Sequence, residues 1–459
     1  MVLRTARRVL LSCAAAALVL GSSAAMAGSR AVILNNDSQL RVFKVMKTPV
    51  VMGEDGKLKP AIIKESRGKP TVVPDFLSPM PDAKWREPEF DDSSWLKAMA
   101  PVETQRGTAT GGKRAALHSA SKNAMICCRY YFRAANPGSV RDLKLSLEYV
   151  GGVVVYVNGT EVARKDLPKG DLDAGSLAEK YPDDLYVEAG NNYLQNVKDN
   201  PTGFARRYRK LADVAIPGKL LRKGVNVLAL QLHRAPVNEG ATNVKIKAYS
   251  GMRRVPGLWA YVGLKEIELS ASPGSSVAVN TGRPSGVQVW PCEVSDSITA
   301  FDYGNPAEPD RPISIVAARN GIYVGRFVIS SGSEIRGLKA SVSAMALDGG
   351  GEKLSGEALE LRYARPVKRS ESWLLEYRYD GLLPGVPATV PVRSVKPRQE
   401  SHLERKFTRA CSKGGAVVPV WLTVKVPKDA KPGKYTGSVS VSAQGLGEKK
   451  LPVELEVFV

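Results

Sequence analysis

Short segments that alternate apolar and polar residues recur along the chain after residue 27, and most are rich in valine. Successive side chains of a strand point to opposite faces, so this alternation indicates half-buried β-strands. Gly, Pro, Asn or Asp closes almost every run, as a turn requires. Typical runs are "DLKLSLEYV", "GVNVLALQLH", "VKIKAYS", "KEIELSAS" and "GIYVGRFVIS". With only short helix-like pieces at residues 178–181 and 220–223, the pattern predicts an all-β chain of two β-sandwich domains.

One hairpin is marked with particular clarity by "VVVYVNGTEVARKDLP", residues 153–168. Asn158 and Gly159 both tolerate positive φ, and an Asn-Gly pair between two alternating runs is the strongest short signal for a tight turn. The Asn-x-Thr pattern is also a glycosylation signal, but only in a host that glycosylates such sites. We therefore predict a turn here, in which glycine in place of Asn158 would be nearly neutral.

The first 27 of the 459 residues have the composition of an export signal. Arg4, Arg7 and Arg8 precede an apolar run over residues 9–20, and Ala25-Met26-Ala27 resembles a cleavage site. No later run reaches the ~20 apolar residues that cross a membrane. These features predict a protein without a membrane span that is secreted, periplasmic or held at the cell surface.

Basic residues outnumber acidic ones, and the formal charge of +21 falls to +18 once the three arginines of residues 1–27 are removed. A positive protein favours polyanions such as acidic polysaccharide. An evenly spread solubilising charge explains the excess equally well. Nucleic acid is not expected as a partner, because the sequence contains no helix-turn-helix or zinc pattern.

The cysteines that remain after export are Cys127, Cys128, Cys292 and Cys411. Export permits disulfides. Neighbours on a strand face opposite sides, so Cys127 and Cys128 are not expected to bond each other, and at most one should face the core. Buried free thiols are the equal alternative. No cysteine or histidine spacing fits a zinc site.

Changes in composition divide the chain into segments. After the signal, residues 28–84 are mixed and proline-punctuated, which suggests a lead-in. A first sandwich follows over residues 85–270. The Ser-, Gly- and Pro-rich residues 271–286 predict a linker, and a second sandwich occupies residues 287–459. This last segment ends in a near-ideal hairpin that turns at Gly445-Leu446-Gly447.

Four ordered stretches resemble the galactose-binding-like jelly-roll domain that accompanies many polysaccharide-degrading enzymes. They are "FDDSSW", "YYFRA", "YVNGTEVAR" and "LRKGVNVLALQLHRAP". In the first, Asp91 and Asp92 can cap a turn through side-chain bonds to the backbone, after which Trp95 packs inward.

The second half is similar to the β-sandwich that precedes the barrel in glycoside hydrolase family 123-like proteins. The resemblance rests on "ISIVAARNGIYVGRFVISS", "LKASVSAMAL" and "VVPVWLTVKVPKDAKPGKYTGSVSVSA". It implies that Trp421 and Tyr435 lie in the core. It also implies a following catalytic barrel with an adjacent Asp-Glu pair, whereas this sequence contains no such dipeptide.

No catalytic residues are therefore predicted. Glycoside hydrolysis needs two carboxyl groups held about 5 to 10 Å apart. The pairs Asp91-Asp92 and Asp183-Asp184 lie in turn sequences and are better interpreted as caps. The sequence has no Gly-x-Ser-x-Gly elbow, phosphate loop or His-Glu-x-x-His helix.

The leading hypothesis is a secreted, non-catalytic accessory protein that binds polysaccharide, with acidic or sulfated glycans as candidates. Aromatic faces stack on sugars and arginines fork to anions. The candidate binding residues lie between the Asn158-Gly159 hairpin and the strand at Val225: Tyr181, Tyr186, Tyr193, Arg206, Arg207 and Tyr208. The alternative for these residues is that they only pack the loop against the sandwich.

Two other functions remain open. One is a glycoside hydrolase whose barrel is truncated or encoded separately, since the sequence ends at Phe458-Val459 directly after a strand. The other is a structural cell-envelope protein. No organic cofactor is indicated. The jelly-roll resemblance allows a structural Ca²⁺, for which Asp91 and Asp92 are candidates, although a calcium ion takes about six to eight oxygen ligands.

Overall fold

Strands make up nearly all the regular structure in the computed structural model, which describes residues 29–53, 55–60, 62–63, 71–72, 75–102, 122–185, 187–188, 192–193, 201–237, 261–367, 378–393 and 414–459. The predicted export signal, Cys411 and the run "VKIKAYS" lie outside these ranges. No helix within them is long and apolar enough to cross a membrane.

The first part of the chain, up to Ala271, contains strands β1 to β16. Their bounds are β1 (Ala31–Leu34), β2 (Gln39–Met46), β3 (Val50–Met52), β4 (Leu58–Pro60), β5 (Ile62–Ile63), β6 (Thr71–Val72), β7 (Leu96–Met99), β8 (Asn123–Ala134), β9 (Lys144–Val150), β10 (Gly152–Val157), β11 (Thr160–Lys165), β12 (Val187–Glu188), β13 (Asn192–Tyr193), β14 (Arg209–Ala215), β15 (Gly224–His233) and β16 (Gly263–Ala271). A short helix, α1 (Pro201–Arg206), precedes β14. Single 3-10 turns occupy Ala83–Arg86, Pro137–Ser139, Asp183–Leu185 and Gly218–Leu220.

The second part contains strands β17 to β29. They are β17 (Val287–Cys292), β18 (Ile313–Ala318), β19 (Gly321–Ser331), β20 (Ile335–Arg336), β21 (Lys339–Val342), β22 (Met345–Leu347), β23 (Lys353–Leu354), β24 (Leu359–Val367), β25 (Arg378–Leu383), β26 (Thr389–Val390), β27 (Ala416–Val426), β28 (Gly433–Ala443) and β29 (Leu446–Phe458). A further 3-10 turn covers Gly356–Ala358.

Two sheets pack face to face in the first sandwich. A four-stranded sheet has the order β1-β16-β9-β14, and a six-stranded sheet has the order β11-β10-β15-β8-β2-β7. The predicted alternation places side chains such as Val155, Tyr130, Leu230 and Leu147 between them, all buried. The second sandwich repeats this arrangement with sheets β17-β19-β27-β24-β25 and β18-β29-β28-β22-β23, the second of which also takes up β21 beside β28. The all-β fold of two sandwiches is thereby confirmed.

The described part of residues 29–84 does more than the predicted lead-in that wraps the first domain, because it supplies strands to the first sandwich. β2 lies between β8 and β7, and β1 pairs with β16. The reason is that Leu40 and Val42 alternate into the core and are fully buried there. The stretch predicted as a linker also packs on this sandwich, since Val277 is buried and the Asn280 side-chain amide donates to the Tyr131 carbonyl at 3.1 Å.

The outer face of the six-stranded sheet is buried as well as the inner one. Cys128 lies in the core between the sheets, and Cys127 lies in a second cluster with Trp85, Trp95 and Tyr131. Only Cys128 faces the core between the sheets, as expected, but Cys127 is buried as well, because the turn segment before β7 covers the outer face. Burial raises the pKa of both thiols, and Cys127, Cys128 and Cys292 are free.

In the second sandwich, the predicted C-terminal hairpin is confirmed, and one of the two aromatic residues predicted for the core is found there. β28 pairs with β29, and Tyr435 is fully buried. Trp421 lies instead on the opposite face of β27 from Leu422, half-buried, with the Arg326 guanidinium carbon 5.5 Å from its ring centroid. The alternation of side chains along β27 explains this position, since its even-numbered residues from Val418 to Val426 fill the core.

The two helix-like pieces predicted in the first part of the chain are not helices. Residues 178–181 have no helical structure, and of residues 220–223 only Leu220 belongs to a 3-10 turn, Gly218–Leu220.

The Asn158-Gly159 turn is confirmed. Both residues have positive φ, 48° and 87°, and Val157 pairs directly with Thr160. The Asn158 side chain does more than permit the turn. Its amide donates to the Leu220 carbonyl and to Asn226 Oδ1, both at 2.8 Å, and its oxygen accepts the Val227 N–H at 2.9 Å. The side chain therefore ties the hairpin to β15.

We expect Gly159→Val to lower the free energy of unfolding by about 1–3 kcal/mol, because a β-branched residue at positive φ is strained. Asn158→Gly should cost about 1–2 kcal/mol through the lost hydrogen bonds, and not be neutral as the turn alone predicts. Urea unfolding measures both changes.

Asn320→Gly is the matched control for the asparagine variant. Asn320 also has positive φ, 57°, and is exposed, and no side-chain hydrogen bond is found for it among the described residues. Its replacement should change stability by less than about 0.5 kcal/mol. Equal effects of the two asparagine variants would contradict the tie to β15.

Candidate functional site

The segment after β17, residues 293–312, crosses the outer face of the first sandwich before the chain enters β18; we term it the crossing segment. Tyr303 donates its hydroxyl to the Asp37 carbonyl at 2.8 Å and accepts at its own carbonyl from Lys97 Nζ at 3.2 Å. Arg133 donates to the carbonyls of Pro306 and Glu308 at 2.9 and 3.0 Å. The second sandwich is thereby attached to β7, to β8 and to the turn before β2 of the first.

At the centre of this contact lies the carboxylate of Asp92, which is fully buried. Its Oδ2 accepts from Arg129 Nε and from the Tyr131 hydroxyl, both at 2.6 Å, and its Oδ1 accepts from Arg311 Nη2 at 2.7 Å. Burial by itself raises the pKa of Asp92, but the two guanidinium groups outweigh it and hold that pKa below its usual value. Asp92 is therefore an ionised anion that joins β8 to the crossing segment.

A second ion pair lies beside it. Arg41 on β2 forks to the two carboxylate oxygens of Glu308 at 3.2 and 3.3 Å. Burial raises the pKa of Glu308, but the positive charges of Arg41 and Lys97 lower it by more than burial raises it. The pKa is therefore below its usual value, and the carboxyl stays ionised. Lys97 lies with its Nζ 3.8 Å from the Trp290 ring centroid, and burial lowers its pKa. The contact between the sandwiches is thus made by charged side chains, and most of these charges are neutralised by a partner of opposite sign within the contact.

A cleft of about 960 Å³ opens between these two ion pairs and the edge of the second sandwich. It exists because two strand edges lie there without a partner strand among the described residues. β17 is the last strand of its sheet, and β18 pairs with β29 only from Val453 onward, which leaves residues 446–452 of β29 open on that side. The lining includes Phe90, Ser93, Arg133, Gln288, Ser314 and Lys449.

Charged side chains of both signs line the cleft beside apolar surface that includes Phe90 and Trp290. Ligand sites usually combine apolar and aromatic side chains with a few polar groups that fix the orientation of the ligand, and this combination suits a polyhydroxylated ligand. The described part of the chain contains no group of three or more His, Cys, Asp or Glu residues arranged to hold a metal ion.

The predicted sugar-binding residues lie outside this cleft. Tyr181 is buried, accepts the Gly151 N–H at its hydroxyl at 2.9 Å, and has the Arg209 guanidinium carbon 4.0 Å from its ring centroid. Arg207 is buried and donates twice to the Leu185 carbonyl. Both residues pack the loop onto the first sandwich, which is the alternative stated for them above.

The other predicted residues are more open or are not described. Arg206 is exposed and pairs with Asp184 at 2.6 Å. Tyr208 is half-buried beside that loop cluster, with Lys265 Nζ 4.5 Å from its ring centroid. Tyr186 lies outside the described residues, as does the side chain of Tyr193. Tyr181 and Tyr208 belong to one small apolar cluster, and Arg207 donates to the carbonyl of Leu185, a member of that cluster.

Asp91 and Asp92, the calcium candidates predicted from the sequence, are both engaged with other groups of the protein. Asp91 Oδ1 accepts the Ser93 N–H at 2.9 Å, as predicted for a cap, and lies 3.3 Å from Arg311 Nη1. Asp92 is surrounded by cations and a hydroxyl donor. Trp95 packs inward as expected. A calcium ion at this pair would have to displace two arginines.

Sequence reasoning missed the arginines of this contact, Arg41, Arg129, Arg133 and Arg311. A signal for two of them is present, because Arg129 and Arg133 interrupt the otherwise apolar strand "NAMICCRYYFRA" on the face that carries Met125 and Cys127. A buried arginine on a strand face requires hydrogen-bond acceptors or a counter-charge, supplied by a partner from elsewhere in the chain. Nothing in the local sequence identifies that partner.

Comparison with known proteins assigns the second sandwich. Residues 324–443 match the model of the glycoside hydrolase 123 N-terminal domain. The resemblance predicted for this half of the chain is confirmed over that range. The protein is thus an all-β, two-sandwich chain that carries a glycoside hydrolase-related domain. No curated protein matches the chain.

Three solved structures are similar to parts of the chain. A family 123 glycoside hydrolase from Clostridium perfringens is 14% identical over 38% of this chain and 27% of its own, with a TM-score of 0.26. A glycosyl hydrolase family 2 member from Bacteroides cellulosilyticus is 9% identical over 92% of this chain and 36% of its own, with a TM-score of 0.21. A β-glucuronidase from Bifidobacterium dentium is 11% identical over 93% and 50%, with a TM-score of 0.23. The chain spans half or less of each.

Asp92→Ala should lower the free energy of unfolding by about 3–5 kcal/mol, because it leaves the buried Arg129 without its counter-charge. Asp91→Ala removes an exposed carboxylate next to it and should cost less than about 1 kcal/mol. Urea unfolding of the two variants provides the comparison. A similar small loss in both would show that Asp92 does not hold the contact.

His233 forms part of a separate buried chain of polar groups on β15. Arg86 donates to Gln231 Oε1 at 3.1 Å, Gln231 Nε2 donates to His233 Nε2 at 2.8 Å, and His233 Nδ1 donates to the Ser176 carbonyl at 3.1 Å. This pattern fits the neutral imidazole. Burial lowers the pKa of His233 from 6.5 to about 4.

Stability should therefore depend on pH through His233. The unfolded chain binds a proton near pH 6.5 while the folded chain does not until about pH 4. The contribution is complete above pH 6.5 and is lost as the pH falls toward 4, by up to about 3 kcal/mol. His233→Gln should flatten the stability profile between these values in urea unfolding. Identical slopes in both proteins would contradict the buried neutral state.

Proposed function

We propose that this protein is a secreted, non-catalytic carbohydrate-binding accessory protein of polysaccharide degradation, with the glycan bound in the cleft between the two sandwiches. The observation that carries the proposal is the match of residues 324–443 to the glycoside hydrolase 123 N-terminal domain. We propose that the first domain runs from about residue 29 to about residue 281 and that the second begins near residue 287. The reason is that β1 and the stretch up to Asn280 pack with the first sandwich.

The cleft supports this location better than the loop that carries the tyrosines. Its volume lies within the range of about 300–1,000 Å³ that ligand sites occupy. Its wall combines strand edges, hydroxyl and amide groups and charged side chains, whereas Tyr181 and Arg207 are committed to packing. The salt-bridged crossing segment forms one wall of the cleft.

The secreted location and the preference for an acidic or sulfated glycan rest on the sequence. Residues 1–27 resemble an export signal, and the charge that remains without them is +18. An exported protein with this excess of cations attracts anionic polymers at low ionic strength.

A second candidate function is supported by the same family match. The two sandwiches would then act as the non-catalytic part of a glycoside hydrolase whose catalytic domain is encoded with or beside them. Inspection of the neighbouring coding sequence tests this candidate. A barrel domain with adjacent acidic residues would support it, and unrelated genes on both sides would oppose it.

Affinity gel electrophoresis with acidic and neutral polysaccharides tests the main proposal. We expect the protein to be retarded, and Ser314→Trp to reduce the retardation at least about tenfold, because Ser314 is exposed and lines the cleft. Val316→Trp is the matched control, since Val316 is exposed on the same strand but does not line the cleft.

Two results would overturn the proposal. One is migration of the wild-type protein unchanged by every polysaccharide at low salt. The other is equal loss of retardation in both tryptophan variants. Release of reducing sugar from a bound polysaccharide by the purified protein would exclude the non-catalytic role and favour an enzyme.

A further inference from the structure

We propose that the cleft recognises an anionic group of its glycan, a carboxylate or a sulfate, through Lys449 on β29 and Arg133 on β8. This inference rests on the proposed function, and it adds the residues that read the charge. It follows from the position of Lys449, from the partners of Arg133 and from the pairing of the carboxylates around them.

Lys449 lies on the side of β29 whose other residues fill the core of the second sandwich. Leu451, Val453 and Leu455, which follow it at intervals of two, are buried between the sheets. Lys449 points to the same side and pairs across the sheet with the buried Val441, yet it is exposed. The sandwich is open at this end, so the lysine faces the cleft where a core side chain would otherwise lie.

No ion-pair partner is found for Lys449 within the described residues. Its neighbour Lys450 lies on the opposite face of the strand, 3.9 Å from Glu448. An inward-facing lysine can serve simply to prevent strand addition at an open edge. That role alone would not require other uncompensated cations in the same cleft.

Arg133 is such a cation. Its Nε and Nη2 donate to the carbonyls of Pro306 and Glu308, which are neutral acceptors. No carboxylate pairs with it in the part of the chain that the structure describes. The two bonds hold the guanidinium in place while leaving its charge uncompensated, and Arg133 lines the cleft.

The carboxylates of the cleft do not remove this charge. Most are already paired, Glu308 with Arg41, Asp91 with Arg311, Glu89 with Arg222 and Glu454 with Lys434. Among the lining residues described, the charges without an ion pair are then those of Arg133, Arg326 and Lys449 against those of Glu293 and Asp310. The balance favours an anionic group in the ligand.

Arginine and lysine suit the two candidate anions in different ways. A planar guanidinium forks to two oxygens, and an ammonium on a flexible stem acts as a mobile point charge. Carboxylate and sulfate both accept such bonds, so the geometry defines a shared chemistry. Oligogalacturonate carries the first and a heparin-derived oligosaccharide carries the second, which allows the two to be separated by experiment.

Titration calorimetry at low salt with these two oligosaccharides and a neutral galacto-oligosaccharide tests the inference. Lys449→Ala should weaken binding of one or both anionic ligands about 3- to 10-fold, as loss of a charge-assisted contact implies. Binding of the neutral ligand should change less than about twofold. Arg133→Gln should act in the same direction.

Lys425→Ala is the matched control, because Lys425 is an exposed lysine on β27 that does not line the cleft. If Lys449→Ala and Lys425→Ala weaken anionic binding equally, the effect is general charge and the inference fails. It also fails if the wild-type protein binds the neutral and anionic ligands equally well, a result that leaves the proposed function intact. Absence of binding to all three would instead overturn the proposed function itself.

Discussion

A buried carboxylate that two arginines share organises this protein. Asp92 would be unstable in its buried position without Arg129, Tyr131 and Arg311, because an isolated charge in a protein interior is strongly disfavoured. These partners come from β8 and from the crossing segment, which is more than 200 residues away in sequence. Satisfying one anion therefore requires the turn before β7, the outer face of β8 and the approach to β18 to meet at one point.

The same requirement explains why the contact between the sandwiches is charged. The outer face of the first six-stranded sheet carries arginines at positions that alternate with core residues, as in Arg41 and Arg129. Replacing such a network by apolar groups can leave stability unchanged, so its presence does not by itself imply a gain in stability. What it provides here is geometry, because bidentate and hydrogen-bonded pairs fix the crossing segment in one register against β2 and β8.

Alternation and turn chemistry were sufficient to predict the all-β class, the Asn158-Gly159 hairpin and the final hairpin, while the burial of Tyr435 followed only from the family resemblance. They were insufficient where a second layer covers a sheet. Cys127 and Tyr131 occupy positions that a simple two-sheet sandwich would expose, and non-local segments bury them. The loop aromatics show a related dependence on the fold. Residue type shows that Tyr181 can stack on a sugar, but only the fold shows that Gly151 and Arg209 already occupy its hydroxyl and its ring face.

The two open strand edges at the cleft bear on whether its ligand is an extended peptide or a polyhydroxylated molecule. An unpaired edge is normally a place where another strand can add through backbone hydrogen bonds. Here both edges contain a proline, Pro291 on β17 and Pro452 on β29, and both prolines line the cleft. A proline cannot donate to a ladder, so each edge is a poor template for an added peptide strand. Recognition in this cleft must therefore depend on side chains and scattered backbone groups, which suits a polyhydroxylated ligand better than an extended peptide.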